Sequence, residues 1–208
     1  MTDKVEEKQV ETEFLVHQWG PCLAQLKLDD GVVKHLLSVA KSSNTPHNKH
    51  LAGILDKEVT LNKDLIIPNL APIIGGYHQV YSQYVGRPAT PLPRYQLLSA
   101  WANFQKQHEF NPPHDHNGEL SFVIYLDIPD VLKEENEKFK GRHAGPGSIQ
   151  FNYGEGNKQF VTYRSIFPKV GDMFIFPASL VHWVIPFKSD CVRISVSGNI
   201  DKQTEGLI

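Results

Sequence analysis

The chain has 208 residues, with 21 lysines and arginines against 23 aspartates and glutamates, for a formal net charge of -2 at pH 7. This near balance excludes a broad basic field of the kind that holds a nucleic-acid backbone, and no apolar run is long enough to span a bilayer. The length suits one domain whose core needs neither disulfides nor structural zinc. Cys22 and Cys191 stand alone without a CxxC spacing, which indicates inert thiols in a cytoplasmic protein.

The first part of the chain predicts a tail followed by two helices. Residues 1–12 are charged and poor in apolar side chains, so we expect a disordered tail, with residues 13–208 forming a single domain. A strand or two is expected between Phe14 and Leu26. Asp29-Asp30-Gly31 then caps a helix that ends in the polar stretch 42–46. Apolar residues at steps of three and four predict a second helix from Asn69 to about Val85.

From Tyr95 onward the sequence pattern changes to short apolar runs separated by turn residues, which is typical of a β-sandwich or barrel. The runs are 95–104, 120–126, 148–153, 159–166, 173–176, 182–186 and 192–197. One charged insertion, Asp130 to Lys140, predicts an exposed short helix or loop. The fold class is therefore mainly β with some helix (α+β): helices packed outside one β-barrel whose core runs from about residue 95 to 200.

Histidine is abundant, with 10 residues, and imidazole is a common metal ligand and proton carrier. His114 and His116 flank Asp115 just before a predicted strand, and an extended backbone points residues i and i+2 to the same side. His182 begins another strand and could complete a three-ligand set with open positions for an iron(II) centre. The alternative is that the pair arises by chance and His182 is a core residue.

Arg193 lies on a strand whose side chains alternate. Val192, Ile194 and Val196 share one face, whereas Arg193, Ser195 and Ser197 share the other. If the polar face is outside, Arg193 is a solvated charge. If it is inside, a guanidinium lies within the barrel and needs a carboxylate partner that arrives with a ligand.

Taken in order, these segments resemble the iron(II)- and 2-oxoglutarate-dependent oxygenases. The residues that carry the resemblance are His114-x-His116, the strand Leu120–Leu126, the segment from Phe167 to His182, and Arg193–Ser197. The likeness is closest to the prolyl 4-hydroxylase-like branch, including small bacterial and bacteriophage members. It implies a double-stranded β-helix, or jelly roll, with flanking N-terminal helices, and an enzyme that uses Fe(II), 2-oxoglutarate and O2.

The resemblance also assigns roles to residues. It implies that His114 and His182 are metal ligands and that Arg193 anchors the far carboxylate of 2-oxoglutarate. The family's usual second ligand is an aspartate, but His116 occupies that position and Asp115 is one residue out of register. We expect His116 to be the ligand because period-two geometry places it beside His114, with Asp115 as the alternative.

Asn103 and Tyr125 are further candidates to contact the near end of 2-oxoglutarate. Packing is the equal alternative for both residues, and Trp183 is interpreted as a packing residue. The remaining histidines lack a partner at ligand spacing and receive no role. They are His17, His35, His47, His50, His78, His108 and His143.

The predicted function is the coupling of 2-oxoglutarate decarboxylation to hydroxylation of a small-molecule or peptidyl substrate. A cupin-type metal dioxygenase or isomerase would keep the barrel and the metal without needing Arg193. A non-catalytic jelly-roll binding module is the third reading. We expect no nucleic-acid or membrane partner, and the sequence is compatible with a homodimer.

Overall fold

The structure, a computed structural model, describes residues 20–47, 53–88, 90–142, 144–155 and 162–203. The strands in these ranges are β1 (Ala24–Lys27), β2 (Glu58–Thr60), β3 (Tyr95–Gln105), β4 (Leu120–Asp127), β5 (Ile149–Asn152), β6 (Tyr163–Ile166), β7 (Asp172–Pro177), β8 (Val181–Val184) and β9 (Arg193–Lys202). The helices are α1 (Asp30–Ser42), α2 (Ile67–Tyr84) and α3 (Asp130–Glu137), and a 3₁₀ turn at Lys63–Leu65 precedes α2.

The strands form two antiparallel sheets that pack face to face. The larger sheet has the order β1-β7-β4-β9-β3-β2, and the smaller has the order β6-β5-β8. Phe151 of β5 joins them, with its ring centroid 5.8 Å from that of Phe174 and 5.0 Å from that of Phe176. The predicted mainly β jelly roll is confirmed.

Alternating side chains divide each central strand between two cores. On β4, Phe122 and Ile124 face the helices, whereas Val123 and Tyr125 face the smaller sheet. Because successive side chains of a strand point to opposite faces, a strand buried on both sides reads as a continuous apolar run. The same alternation turns the polar residues of β3 and β9 toward the space between the sheets.

The two long helices cover the outer face of the larger sheet. The side chain of Asp29 accepts a hydrogen bond from the Gly31 amide at the start of α1, as the sequence predicts. Leu36 of α1 and Leu70 of α2 are buried in the same apolar cluster. The second helix begins two residues earlier than predicted, with Pro68 in its first turn, where a missing amide proton costs nothing. No helix in the described ranges is both long and apolar enough to cross a membrane.

Several boundaries differ from the prediction. The three-residue strand β2 was not predicted, and β9 continues five residues beyond Ser197, to Lys202. The charged insertion forms α3, as expected. The tail at residues 1–12, the strand expected around Phe14 and the start of the 159–166 run lie outside the described residues.

Candidate functional site

Three histidines meet at one end of the sandwich. His114 and His116 lie on the segment between β3 and β4, and His182 lies on β8. The His114 amide donates to the His182 carbonyl at 3.1 Å, and the His182 amide donates back at 3.0 Å. The His116 amide donates to the Ala178 carbonyl at 2.9 Å. This pairing brings one ligand nitrogen of each ring within 4.8 Å of the others, so the group could hold a metal ion.

Main-chain carbonyls fix the orientation of two of these rings. Nδ1 of His114 lies 2.6 Å from the Pro112 carbonyl oxygen, and Nδ1 of His182 lies 2.9 Å from the Leu180 carbonyl oxygen. A carbonyl only accepts, so each Nδ1 carries the proton and donates it. Nε2 of each ring is therefore left with a free lone pair, as is usual for histidines that bind metals.

The environment keeps the three imidazoles neutral. Burial, together with the neighbouring His114 ring, lowers the pKa of His182 to about 3 and that of His116 to about 4. Burial also lowers the pKa of His114. A metal ion binds only the deprotonated ring, so the group is ready for a cation at neutral pH.

We expect iron(II) binding at about pH 6 to release less than about one proton. Three imidazoles with ordinary pKa values near 6.5 would carry about two protons at that pH, and the metal would have to displace them. The pKa values of about 4 and 3 for His116 and His182 predict that these two rings carry no proton to displace. Isothermal titration calorimetry in two buffers of different ionisation enthalpy measures the number. Release of about two protons would contradict this description of the site.

Asp115 lies outside the histidine group. Its side chain is exposed, and it belongs to the wall of the cavity in front of the histidines. The metal-competent group found among the described residues contains His116 and not Asp115. This is the arrangement that the period-two argument predicts.

Arg193 faces the interior, so the inner-face interpretation of its strand is correct. It is 3% exposed and pairs with Gln105 across β9 and β3. Its Nη1 donates to the Gly147 carbonyl at 2.7 Å, and its guanidinium lies 5.1 Å from the centre of the Tyr125 ring. Burial lowers the pKa of Arg193. The histidines and Arg193 line the same inner chamber, a cavity of about 50 Å³.

Several buried polar atoms of this chamber lack a hydrogen-bond partner among the described residues. They are Asn103 Oδ1, Gln105 Oε1, Tyr125 Oη and Arg193 Nε. Asn103 Nδ2 does donate to the hydroxyls of Ser195 and Ser197, at 3.4 and 3.2 Å. Because buried polar groups are nearly always paired in folded proteins, this cluster suits a polar ligand with several oxygens.

A second, outer cavity of about 520 Å³ adjoins the inner chamber. Trp101, Asn111, His114 and His116 line both cavities. The remaining residues of the outer wall are His47, Glu58, Ser99, Asp115, Asn117 and Asn199. His114 and His116 therefore lie at the boundary between a small inner chamber and a larger, more open cavity.

Gln105, His47 and Glu58 are among the residues of these walls that the sequence analysis missed. Gln105 continues the alternation of Trp101 and Asn103 on β3, so extending that pattern by two residues would have found it. His47 stacks on Trp101, with ring centroids 5.0 Å apart, and Glu58 is brought in by the unpredicted β2. No local signal marks these two. His17, His50 and His143 lie outside the described residues.

The sequence from residue 99 to residue 199 matches a family model of 2OG-Fe(II) oxygenases. This range contains every site residue that the sequence analysis proposed. Among curated protein sequences, none matches the chain.

Solved structures with this fold include oxygenases from bacteria and a virus. A prolyl-4-hydroxylase from Pseudomonas putida has a TM-score of 0.57 at 14% identity, covering 88% of this chain and 93% of that one. The viral collagen prolyl hydroxylase of Paramecium Bursaria Chlorella virus-1, in complex with 2-oxoglutarate, has a TM-score of 0.53 at 13% identity, covering 86% and 94%.

HygX from Streptomyces hygroscopicus, bound to nickel, 2-oxoglutarate and hygromycin B, has a TM-score of 0.53 at 11% identity, covering 87% of this chain and 83% of its own. Identities this low show a shared fold. The family match adds the chemistry, including the use of iron(II), 2-oxoglutarate and O2. Over residues 99–199, a little under half of its length, the chain is similar in sequence to the iron(II)- and 2-oxoglutarate-dependent oxygenases.

Proposed function

We propose that His114, His116 and His182 hold iron(II), that Arg193 anchors 2-oxoglutarate, and that the enzyme hydroxylates a second substrate while 2-oxoglutarate is converted to succinate. The observation that carries the proposal is that the histidine group and the buried Arg193 line one chamber. A cupin-type enzyme or a non-catalytic module would not need a guanidinium in this position.

The residues of the inner chamber fit 2-oxoglutarate in charge and in hydrogen bonding. A guanidinium pairs with a carboxylate through two parallel hydrogen bonds, and Arg193 has an unpartnered Nε as well as its Nη groups. Tyr125 Oη and the amide of Asn103 lie in the same wall and can hold the remaining oxygens. Three neutral imidazoles leave a divalent metal with two positive charges, which the 2-oxoglutarate dianion balances.

The chain's own residues bind, orient and exclude water. When bound, iron(II) and 2-oxoglutarate supply with O2 an oxidant that can take hydrogen from a C–H bond. Around that position Phe151 and Phe176 pack against His182, with ring centroids 6.0 and 4.9 Å from the imidazole. These aromatic rings keep water from the buried side of the site. The open outer cavity leaves the other side to the substrate.

The proposed function also includes a substrate class, a cellular compartment and an oligomeric state. The substrate is a small molecule or a peptidyl side chain, and the enzyme acts in the cytoplasm as a monomer or homodimer without nucleic-acid or membrane partners. The net charge of -2 supports the absence of a polyanion partner. Two unpaired cysteines, one of them buried, suit a reducing compartment.

Succinate formation tests the proposed function. Purified protein with iron(II), ascorbate and 2-oxoglutarate is expected to form succinate slowly alone and faster with a substrate. 2-Oxoglutarate should also raise the melting temperature of the iron-loaded protein, because a ligand of the native state stabilises it by mass action. Absence of both succinate and 2-oxoglutarate binding would refute the proposal.

A further inference from the structure

A buried glutamine faces Arg193 from the adjacent strand. Gln105 stands directly opposite Arg193 in the antiparallel pairing of β3 with β9. Opposed residues of such a pair point to the same face, with their Cβ atoms about 5 Å apart. Gln105 is 2% exposed and lines the inner chamber together with Arg193. The two polar side chains therefore share one enclosed space.

The main chain fixes which way the Gln105 amide points. Its Nε2 donates to the Glu109 carbonyl at 2.6 Å. Because a carbonyl oxygen only accepts, the amide nitrogen must be the atom that faces Glu109. Exchanging the two ends of the amide would break this buried hydrogen bond. The free end of the Gln105 side chain is therefore an acceptor, Oε1.

The turn that supplies this carbonyl is held by its own side chain. The Glu109 carboxylate accepts a hydrogen bond from the Asp56 amide at 3.0 Å and another from the Lys106 amide at 2.8 Å. These bonds tie the turn after β3 both to itself and to the segment before β2. The Glu109 carbonyl is thus a fixed reference for the Gln105 amide.

Arg193 has the complementary unused atom. Its Nη1 is bound to the Gly147 carbonyl, but its Nε, a donor, has no hydrogen-bond partner among the described residues. Gln105 Oε1 has none in the same part of the chain. A buried donor and a buried acceptor that stay unpaired are both costly. With one hydrogen bond, the guanidinium can still turn about its Nη1 contact.

We infer that Gln105 is a positioning residue for 2-oxoglutarate: its Oε1 accepts the Nε–H of Arg193 when the co-substrate binds, which directs the Nη groups at the far carboxylate. This inference rests on the proposed function, in which Arg193 anchors that carboxylate. Gln105 acts through Arg193 and does not touch the reacting atoms. It adds a second fixed point to the one that Gly147 provides.

The chemistry of the free oxygen favours this role over direct contact with the co-substrate. An amide oxygen and a carboxylate are both acceptors, so Oε1 cannot hydrogen-bond to the 2-oxoglutarate dianion. Tyr125 Oη is another unpaired donor of the chamber, but Tyr125 lies on β4, opposite Ser195 and on the far side of β9 from Gln105. Two strand spacings are about 10 Å. By register, the nearest unpaired donor is Arg193 Nε.

Two 2-oxo acids that differ only in the far carboxylate test the inference. 2-Oxoglutarate carries this group, whereas 2-oxopentanoate has the same carbon chain without it. Binding of each acid to the full chain, loaded anaerobically with iron(II), is measured by isothermal titration calorimetry.

Gln105→Leu is expected to weaken 2-oxoglutarate binding about tenfold, because a hydrogen bond to a charged group contributes roughly that factor. Binding of 2-oxopentanoate should stay within about twofold, since it has no carboxylate for Arg193 to hold. A merely structural role for Gln105 would weaken both acids alike.

A second variant and a matched control accompany this measurement. Gln105→Glu keeps the shape of the side chain but places a carboxylate beside Arg193, which neutralises the charge that 2-oxoglutarate needs. It should weaken 2-oxoglutarate binding more than Gln105→Leu does and leave 2-oxopentanoate binding unchanged. Gln150→Leu replaces a buried glutamine of β5 that is not among the chamber's described lining residues, and it should change neither affinity.

The outcomes separate this inference from the proposed function. If 2-oxoglutarate does not bind the iron-loaded wild-type protein, the proposed function fails. If it binds but the Gln105 variants weaken both acids equally, the inference alone is overturned. Tighter 2-oxoglutarate binding in Gln105→Leu would show that Oε1 opposes the co-substrate, and it would overturn the inference as well. The glutamate variant carries the same test if the leucine variant does not fold.

Discussion

Replacing Arg193 with methionine is expected to weaken 2-oxoglutarate binding by about 30-fold or more while iron(II) affinity is retained. Truncating one partner of a buried charge pair costs about 2–5 kcal/mol, and each 1.4 kcal/mol is about tenfold in affinity. Iron(II) affinity is retained because Arg193 is not among the histidine ligands. Calorimetric titration of the iron-loaded variant with 2-oxoglutarate measures the loss.

The same substitution is expected to stabilise the ligand-free protein. Arg193 is buried with one hydrogen bond, to Gly147, and its Nε has no partner among the described residues. Replacing buried charged groups by apolar ones of similar volume is often neutral or stabilising by about 1–4 kcal/mol. A gain of about 1 kcal/mol corresponds to a melting temperature higher by about 2–4 °C in a domain of this size.

Arg164→Met is the control. Arg164 is exposed on β6, so its substitution should change neither the 2-oxoglutarate affinity nor the melting temperature. Retained 2-oxoglutarate binding in the Arg193 variant would remove this residue from the co-substrate site. A large loss of stability would show instead that Arg193 has a structural role. Weaker 2-oxoglutarate binding together with a higher melting temperature would show that Arg193 serves ligand binding and does not stabilise the fold.

The second large effect is expected at the histidine group. His182→Ala should lower iron(II) affinity on the order of 100-fold or more, because even residues that only orient a ligand contribute about 10–100-fold. His116→Ala should behave in the same way. Asp115→Asn should leave the affinity within a few-fold, since its exposed carboxylate lies outside the group. Anaerobic titration with iron(II) gives these affinities.

His78→Ala is the matched control for these variants, because the half-buried His78 ring lies on α2, outside the histidine group, with its Nε2 against Thr90. Circular dichroism checks that each variant is folded. A large loss of iron affinity in Asp115→Asn, with little change in His116→Ala, would reverse the ligand assignment. It would restore the histidine and carboxylate pattern that is usual for the family.

Much of the fold could be predicted because most core strands carry their own signal. The runs that became β3, β4, β7 and β9 are apolar, short and bounded by turn residues. The strand β2 could not be predicted, because three residues are too few to show an alternation. Its place at the edge of the sheet depends on pairing with β3, which is a tertiary contact.

The candidate site was predictable to the extent that its residues lie close together in sequence. His114 and His116 form a local pattern, and the alternation around Arg193 correctly gave two faces. Which face is inside depends on how the sheets pack, so only the structure decides it. Glu58 and His47 reach the site from far away along the chain, and nothing near them in sequence indicates a cavity wall.

The carbonyl groups that hold the His114 and His182 rings have a consequence for how such an enzyme can change its substrate. Each belongs to the main chain, at Pro112 and Leu180, two residues before the histidine it holds. No single substitution deletes a main-chain carbonyl, so these ring orientations persist as neighbouring side chains vary. The outer cavity, by contrast, is lined by side chains that differ in polarity and size, such as those of Ser99, Asp115 and Asn117. Mutation can therefore redirect the enzyme toward new substrates without dismantling its metal-binding geometry.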